Sequence, residues 1–198
     1  MSDKQKNINQ KGVGLAELVI VILIIAIIVV LALPQLIASR RLFRFSGLQR
    51  QIVATLRDTR QEAMSQRTPI TFRYNDTNKT MIVYGGKFGL LGDAKNPVMS
   101  MTGDGLISSE VIYGRPAGAP TAALGDGSNL TTLSSNTVEV RYQSDGSVIN
   151  SSNVPQNNAM FFYNTKTPLD TAFAISVLGA GGRAKIWRYS TGVNSYVE

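Results

Sequence analysis

Sixteen consecutive apolar residues, Leu18 to Leu33, stand uninterrupted near the start of the chain. Taken with their flanks, residues 14–38 read as a helix just long enough to cross a hydrocarbon layer of about 30 Å. Pro34 lies inside this stretch, removes one backbone donor and is expected to loosen or kink the helix there. Beyond it, apolar residues recur at Phe45, Leu48, Ile52, Leu56 and Ala63. That narrow stripe, with arginines on the other faces, predicts an amphipathic continuation of the helix. Asp58 and Glu62 are spaced to pair with neighbouring arginines along its surface. Thr68-Pro69 closes it, because a proline keeps the residue before it out of helical geometry. A continuous helix from Val13 to Arg67 would extend about 80 Å at 1.5 Å per residue. No core of this size can cover it, so half must find lipid or neighbouring subunits.

After Pro69 the period changes from helical to alternating. Ile70–Tyr74 and Thr80–Tyr84 flank a polar Asn75–Lys79 segment and predict a β-hairpin. A glycine-rich passage over 85–105 precedes a strand expected at Leu106–Tyr113. Residues 114–135 carry Gly, Pro, Ala, Ser and Thr without periodicity and read as a long loop. Thr137–Tyr142 alternates as a half-buried strand and leads into the turn Ser144-Asp145-Gly146-Ser147. Further strands are expected at Ala159–Tyr163, Phe173–Leu178 and Lys185–Tyr189, with Gly179-Ala180-Gly181-Gly182 turning the last pair. One long helix followed by an antiparallel sheet is an α+β plan.

Composition narrows the chemistry. The 198 residues suit one globular domain with an appendage, and cysteine and histidine are both absent. No disulfide can staple the fold, which must rest on its apolar core. Ser-His and Cys-His nucleophile pairs and the usual zinc ligand sets are ruled out, and no phosphate-binding glycine loop or pair of catalytic carboxylates stands out. The sequence points to no enzyme and no cofactor. Asp145-Gly146 and Gly125-Asp126-Gly127 lack calcium-loop ligand spacing and are explained by turn chemistry, so no metal site is expected. The formal charge is +7. The excess is local: Arg40, Arg41, Arg44, Arg50, Arg57, Arg60 and Arg67 face only Asp58 and Glu62. Such a cluster serves as a solvated face beside anionic lipid headgroups or attracts nucleic acid.

Glu17 is the residue that most demands an explanation. A charged side chain deep in a bilayer costs about 2.5–3.5 kcal/mol on insertion scales, so a carboxylate at the lip of this apolar run needs a cation. The text around it, Lys11-Gly12-Val13-Gly14-Leu15-Ala16-Glu17, is a basic leader ending in glycine, an apolar residue, and a glutamate four positions on. This resembles the class III signal of type IV pilins and type II secretion pseudopilins. The resemblance implies that a prepilin peptidase cuts between Gly12 and Val13 and methylates the new N-terminus. It also implies that Glu17 pairs with the N-terminus of a neighbouring subunit in a helical filament. Pro34 falls where family members carry a helix-loosening proline. The Phe and Thr usual after the cut are Val13 and Gly14 here. Cutting removes Lys4, Lys6, Lys11 and Asp3 and leaves 17 basic against 12 acidic residues. The rival reading of the N-terminus is a secretory signal with a cut near Leu36-Ile37-Ala38. Glu17 and the helical continuation past residue 40 argue against it. Counting Lys and Arg on both flanks would leave the C-terminal part cytoplasmic, whereas the leader implies that the N-terminus is inside and the globular part exported.

A second resemblance covers more of the chain in shorter pieces. Leu56–Ala63, Arg67–Phe72, the Tyr142–Val148 strand with its Asp-Gly turn, and the closing strand–Gly-Gly-Arg–strand unit look like the H-type minor pseudopilins, the GspH/FimT family. This implies a pilin-like fold in a subunit near the filament tip, present in few copies. Some H-type members take up DNA through a basic motif after such a glycine turn. Gly182-Arg183-Ala184-Lys185 resembles that motif in part, with Arg188 close behind among Trp187 and Tyr189. Arg183, Lys185 and Arg188 are thus candidate DNA-binding residues. The ordinary reading of the same residues is an edge hairpin guarded against aggregation by charge.

The expected organisation is a cleaved leader over 1–12, a transmembrane and filament-core helix over 13–39, its amphipathic half over 40–67 and a β-rich domain over 68–198. The expected function is a minor pilin or pseudopilin that primes or caps a filament. The alternatives are a DNA-binding competence pilin and a major pilin. The implied partners are other pilin or pseudopilin subunits, the prepilin peptidase, an inner-membrane assembly platform, the lipid bilayer and, on the competence reading, DNA. The implied location is the inner membrane, crossed once, with the N-terminus cytoplasmic before processing.

Overall fold

The computed structural model describes residues 14–85, 99–101 and 108–198. One helix, α1, runs from Leu15 to Gln66 and passes through Pro34. The carbonyl of Gly14 opens it by accepting the backbone N–H groups of Glu17 (3.0 Å) and Leu18 (3.2 Å). It ends in a left-handed cap. Arg67 takes φ 51°, and the N–H of Thr68 returns 3.2 Å to the carbonyl of Ala63, the six-to-one bond of a Schellman motif. Pro69, which lacks an N–H, starts the extended chain.

Two compact units meet within α1, one up to Arg40 and one from Arg41 to Glu198. In the first, the 19 residues Leu15–Leu33 have a mean hydropathy of 3.4 and none of them is buried. This section is long and apolar enough to cross a membrane.

The second unit is α+β. Its strands are β1 (Ile70–Asn75), β2 (Thr80–Gly85), β3 (Met99–Ser100), β4 (Val111–Tyr113), β5 (Thr137–Tyr142), β6 (Val148–Ile149), β7 (Asn158–Asn164), β8 (Phe173–Val177), β9 (Ala184–Ser190) and β10 (Ser195–Val197). They form two five-stranded antiparallel sheets, ordered β3-β2-β1-β5-β6 and β10-β9-β8-β7-β4, where the strand order alone suggests one. The predicted hairpin is β1–β2, with Phe72 opposite Val83. Its turn is tied by Asn75, whose side-chain oxygen accepts the N–H groups of Thr77 (2.9 Å) and Asn78 (3.2 Å). Of the strand expected over 106–113, only Val111–Tyr113 is extended, after a 3-10 turn at Ser108–Glu110. Leu106, Ile107 and most of the glycine-rich passage fall outside the described residues.

One core joins the amphipathic part of α1 to both sheets. Phe45, Leu48, Ile52 and Leu56 cluster with Phe72, Tyr74, Val140 and Tyr142 of the first sheet and with Met160, Phe162, Phe173 and Ile175 of the second. Phe45 meets Phe173 edge to face with centroids 6.1 Å apart, a favoured aromatic geometry. The second sheet is buried on both faces. Ala159, Phe161, Ala174, Trp187 and Tyr196 form a separate cluster under Leu124. The long loop 114–135 thus acts as a cover, because alternate residues of β7 and β8 point to opposite faces and both sets are mostly apolar. Arg115 fastens this cover, its guanidinium lying 4.3 Å from the centroid of the Phe161 ring and donating to the carbonyls of Pro120 and Ala122.

Candidate functional site

The start of α1 places Glu17 in the first helical turn, exposed, three residues after the capping Gly14. A carboxylate there gains about 0.3–1 kcal/mol from the positive end of the helix dipole. Pro34 lies on the same helix. Gly12 and Val13, the expected processing residues, lie outside the described residues.

The β8–β9 turn carries the other candidates and separates them. Arg183 is exposed at the end of the glycine turn. Lys185 is engaged. Its Nζ donates to the Glu198 carboxylate at 2.6 Å and lies 5.5 Å from the centroid of the Trp187 ring. Arg188 points to the opposite face of the strand, where its Nε donates to Oε1 of Gln49 on α1 at 3.2 Å. Residues three apart on a strand cannot share a face. The basic run that looks continuous in sequence is therefore not one surface.

Arg183 instead meets the helix. With Arg57, Arg60 and Gln61 it lines a concavity of about 380 Å³. Arg57 stands one turn before both Arg60 and Gln61 on α1, and two glycine turns set the floor. Gly146 and Gly182 both take left-handed conformations, φ 81° and 59°. A Cβ on Gly182 would fall 1.9 Å from the Gly146 carbonyl oxygen and 3.1 Å from the Nε of Arg60. A Cβ on Gly146 would fall 3.0 Å from the same Nε. The bare backbone leaves the space that Arg60 fills, and its Nε donates 3.2 Å to the Gly146 carbonyl. Beneath it, the hydroxyl of Tyr142 is buried with no hydrogen-bond partner among the described residues. Burial raises the Tyr142 pKa, and the positive charge of Arg60 offsets this in part.

Sequence reasoning treats Arg57 and Arg60 as a solvated helix face and misses their meeting with Arg183. Their spacing with Gln61 and Met64 is a legible signal of one shared face, but the chain region facing it is not. Asp58 and Glu62 do not neutralise them. Glu62 accepts a hydrogen bond from Gln66 one turn on, and Asp58 forms no ion pair among the described residues.

The acidic turns serve local structure. Asp145 accepts the N–H (2.9 Å) and hydroxyl (2.7 Å) of Ser147, and these bonds hold its pKa below the usual value. Asp126 accepts the N–H of Ser128 at 2.9 Å and the hydroxyl of Ser176 at 2.5 Å. Trp187 Nε1 donates in turn to Ser176 Oγ at 2.8 Å. Burial would raise the Asp126 pKa, but the bonds from Ser176 and Ser128 and the charge of Lys185 outweigh it and leave the pKa lowered.

No family model, curated protein or solved structure matches the chain.

Proposed function

We propose that this chain is a membrane-anchored minor pilin or pseudopilin, a structural subunit with a pilin-like fold. On this reading it helps initiate or cap an envelope-spanning type IV pilus or type II secretion pseudopilus. The observation that carries the reading is the unbroken α1. Its residues Leu15–Leu33 are apolar and uncovered, while Phe45–Ala63 supply the core of the β domain. A surface like the first needs lipid or other apolar helices around it. The prepilin peptidase cuts between Gly12 and Val13, the chain crosses the inner membrane once, and the β domain is exported. An assembly platform then passes the subunit from the bilayer to a filament of other pilin subunits. The mechanism is packing and charge pairing. Glu17 meets the methylated N-terminal amine of a neighbour, worth about 4 kcal/mol for unit charges 4 Å apart at an effective dielectric of 20. The test is Glu17→Ala, which inserts into the membrane but does not enter filaments. Filament incorporation at the wild-type level would overturn the reading. Copy number in sheared filaments separates a minor from a major subunit.

The exposed position of Arg183 beside Arg57 favours a second reading, a competence pilin that binds DNA. Its test is salt-dependent retention of duplex DNA by the full chain in detergent micelles. Arg183→Ala abolishes retention, whereas Lys185→Ala and Arg188→Ala, whose charges are held elsewhere, leave most of it.

A further inference from the structure

The three arginines around the Gly146–Gly182 floor have no counter-charge among the described residues. Neither Arg57, Arg60 nor Arg183 forms an ion pair among the described residues, and no carboxylate is among the residues lining their concavity. Like charges gathered in one concavity repel, yet Arg60 is held by its bond to Gly146 and lies against two glycine turns in left-handed conformations. Holding a cation rigidly among other cations is the arrangement of a receptor awaiting an anion. Each guanidinium presents a planar fork of N–H donors suited to two-point recognition of phosphate or carboxylate. Three forks and the amide of Gln61 offer more donors than the two oxygens of a carboxylate can accept. A phosphate, with acceptor oxygens on several sides, can use them.

We propose that Arg57, Arg60 and Arg183 form a binding site for a phosphate group, in which Arg60 is the preset member and the other two close on the ligand. The site lies within residues 41–198 and needs no filament assembly; it shares Arg57 and Arg183 with the DNA reading above but is assayed with free phosphate alone. The phosphate comes from a small phosphate monoester or from a diester such as a phospholipid headgroup.

The experiment is calorimetric titration of the full chain in detergent micelles with inorganic phosphate, with ionic strength held constant by chloride. One saturable site is expected, weakened about tenfold or more by Arg57→Gln and by Arg183→Gln, each of which removes a charge-assisted contact. Arg50→Gln, an exposed helix arginine outside the concavity, leaves it unchanged. Arg57 and Arg183 are both exposed, so their replacement spares the fold, and thermal melts of the variants verify this. Dimethyl phosphate binding as tightly as phosphate assigns the site to a diester; a marked preference for phosphate assigns it to a monoester. The proposal is overturned by the absence of a saturable site, by equal losses in all three variants, or by acetate binding as well as phosphate. DNA retention is scored separately, so its failure and the failure of phosphate binding are distinguishable.

Discussion

A Cβ on Gly182 would lie 1.9 Å from the carbonyl oxygen of Gly146, so the β8–β9 turn and the turn between β5 and β6 touch through bare backbone. Gly182→Ala must separate the two turns and hold a side chain at φ 59°, which predicts a loss of about 2 kcal/mol or more. Gly181→Ala next to it, where a Cβ meets nothing within 4 Å, leaves the urea midpoint nearly unchanged. Equal midpoints for the two variants would count against this contact.

The hydroxyl of Tyr142 is buried and has no hydrogen-bond partner among the described residues. Removing an unpaired buried polar group relieves its desolvation cost, about 1–3 kcal/mol for such groups. Tyr142→Phe is therefore expected to be neutral or stabilising in thermal melts, unlike most substitutions at fully buried positions.

Asp126 pins the loop cover to the second sheet, and its pKa is lowered in the folded state. A carboxylate with a depressed folded pKa contributes stability that is complete above its unfolded value of about 3.9. That contribution is lost as pH falls through the lower folded value. Asp126→Asn should therefore lower the melting temperature at neutral pH, with the difference from wild type shrinking below about pH 4. A gap that stays constant down to pH 2 would show that the charge is not involved.

Phe45 is a fully enclosed core residue contributed by the helix. Phe45→Ala is expected to cost about 3–5 kcal/mol in unfolding of the β domain. Leu31→Ala, on the same helix but 68% exposed, leaves that transition where it was.

What could be read from the chain alone follows the strength of local periodicity. Ile70–Tyr74, Thr137–Tyr142 and Phe173–Leu178 carry enough alternating apolar residues to declare themselves as strands. Phe45, Leu48, Ile52 and Leu56 likewise mark one face of a helix. The two-residue strands β3 and β6 are too short to have a period, and β10 at Ser195–Val197 is barely longer. The division into two sheets, which rests partly on these edge strands, was therefore hidden. The basic candidates failed differently. Arg183, Lys185 and Arg188 are neighbours in sequence, but the period of a strand sends Lys185 and Arg188 to opposite faces. The partners Arg183 does find, Arg57 and Arg60, come from a region more than a hundred residues earlier. Glycine turns that look like ordinary punctuation make that meeting possible, and no local pattern reveals it.

The sharing of one helix between an uncovered apolar section and a domain core bears on how the protein can be handled in pieces. A soluble fragment cut where the strands begin, at residue 68, would discard Phe45, Leu48, Ile52 and Leu56 and leave both sheets with a bare inner wall. One that starts at Arg41 keeps every one of these side chains. The greasy end of α1 can be trimmed away, but its other end is as much a part of the domain as any strand.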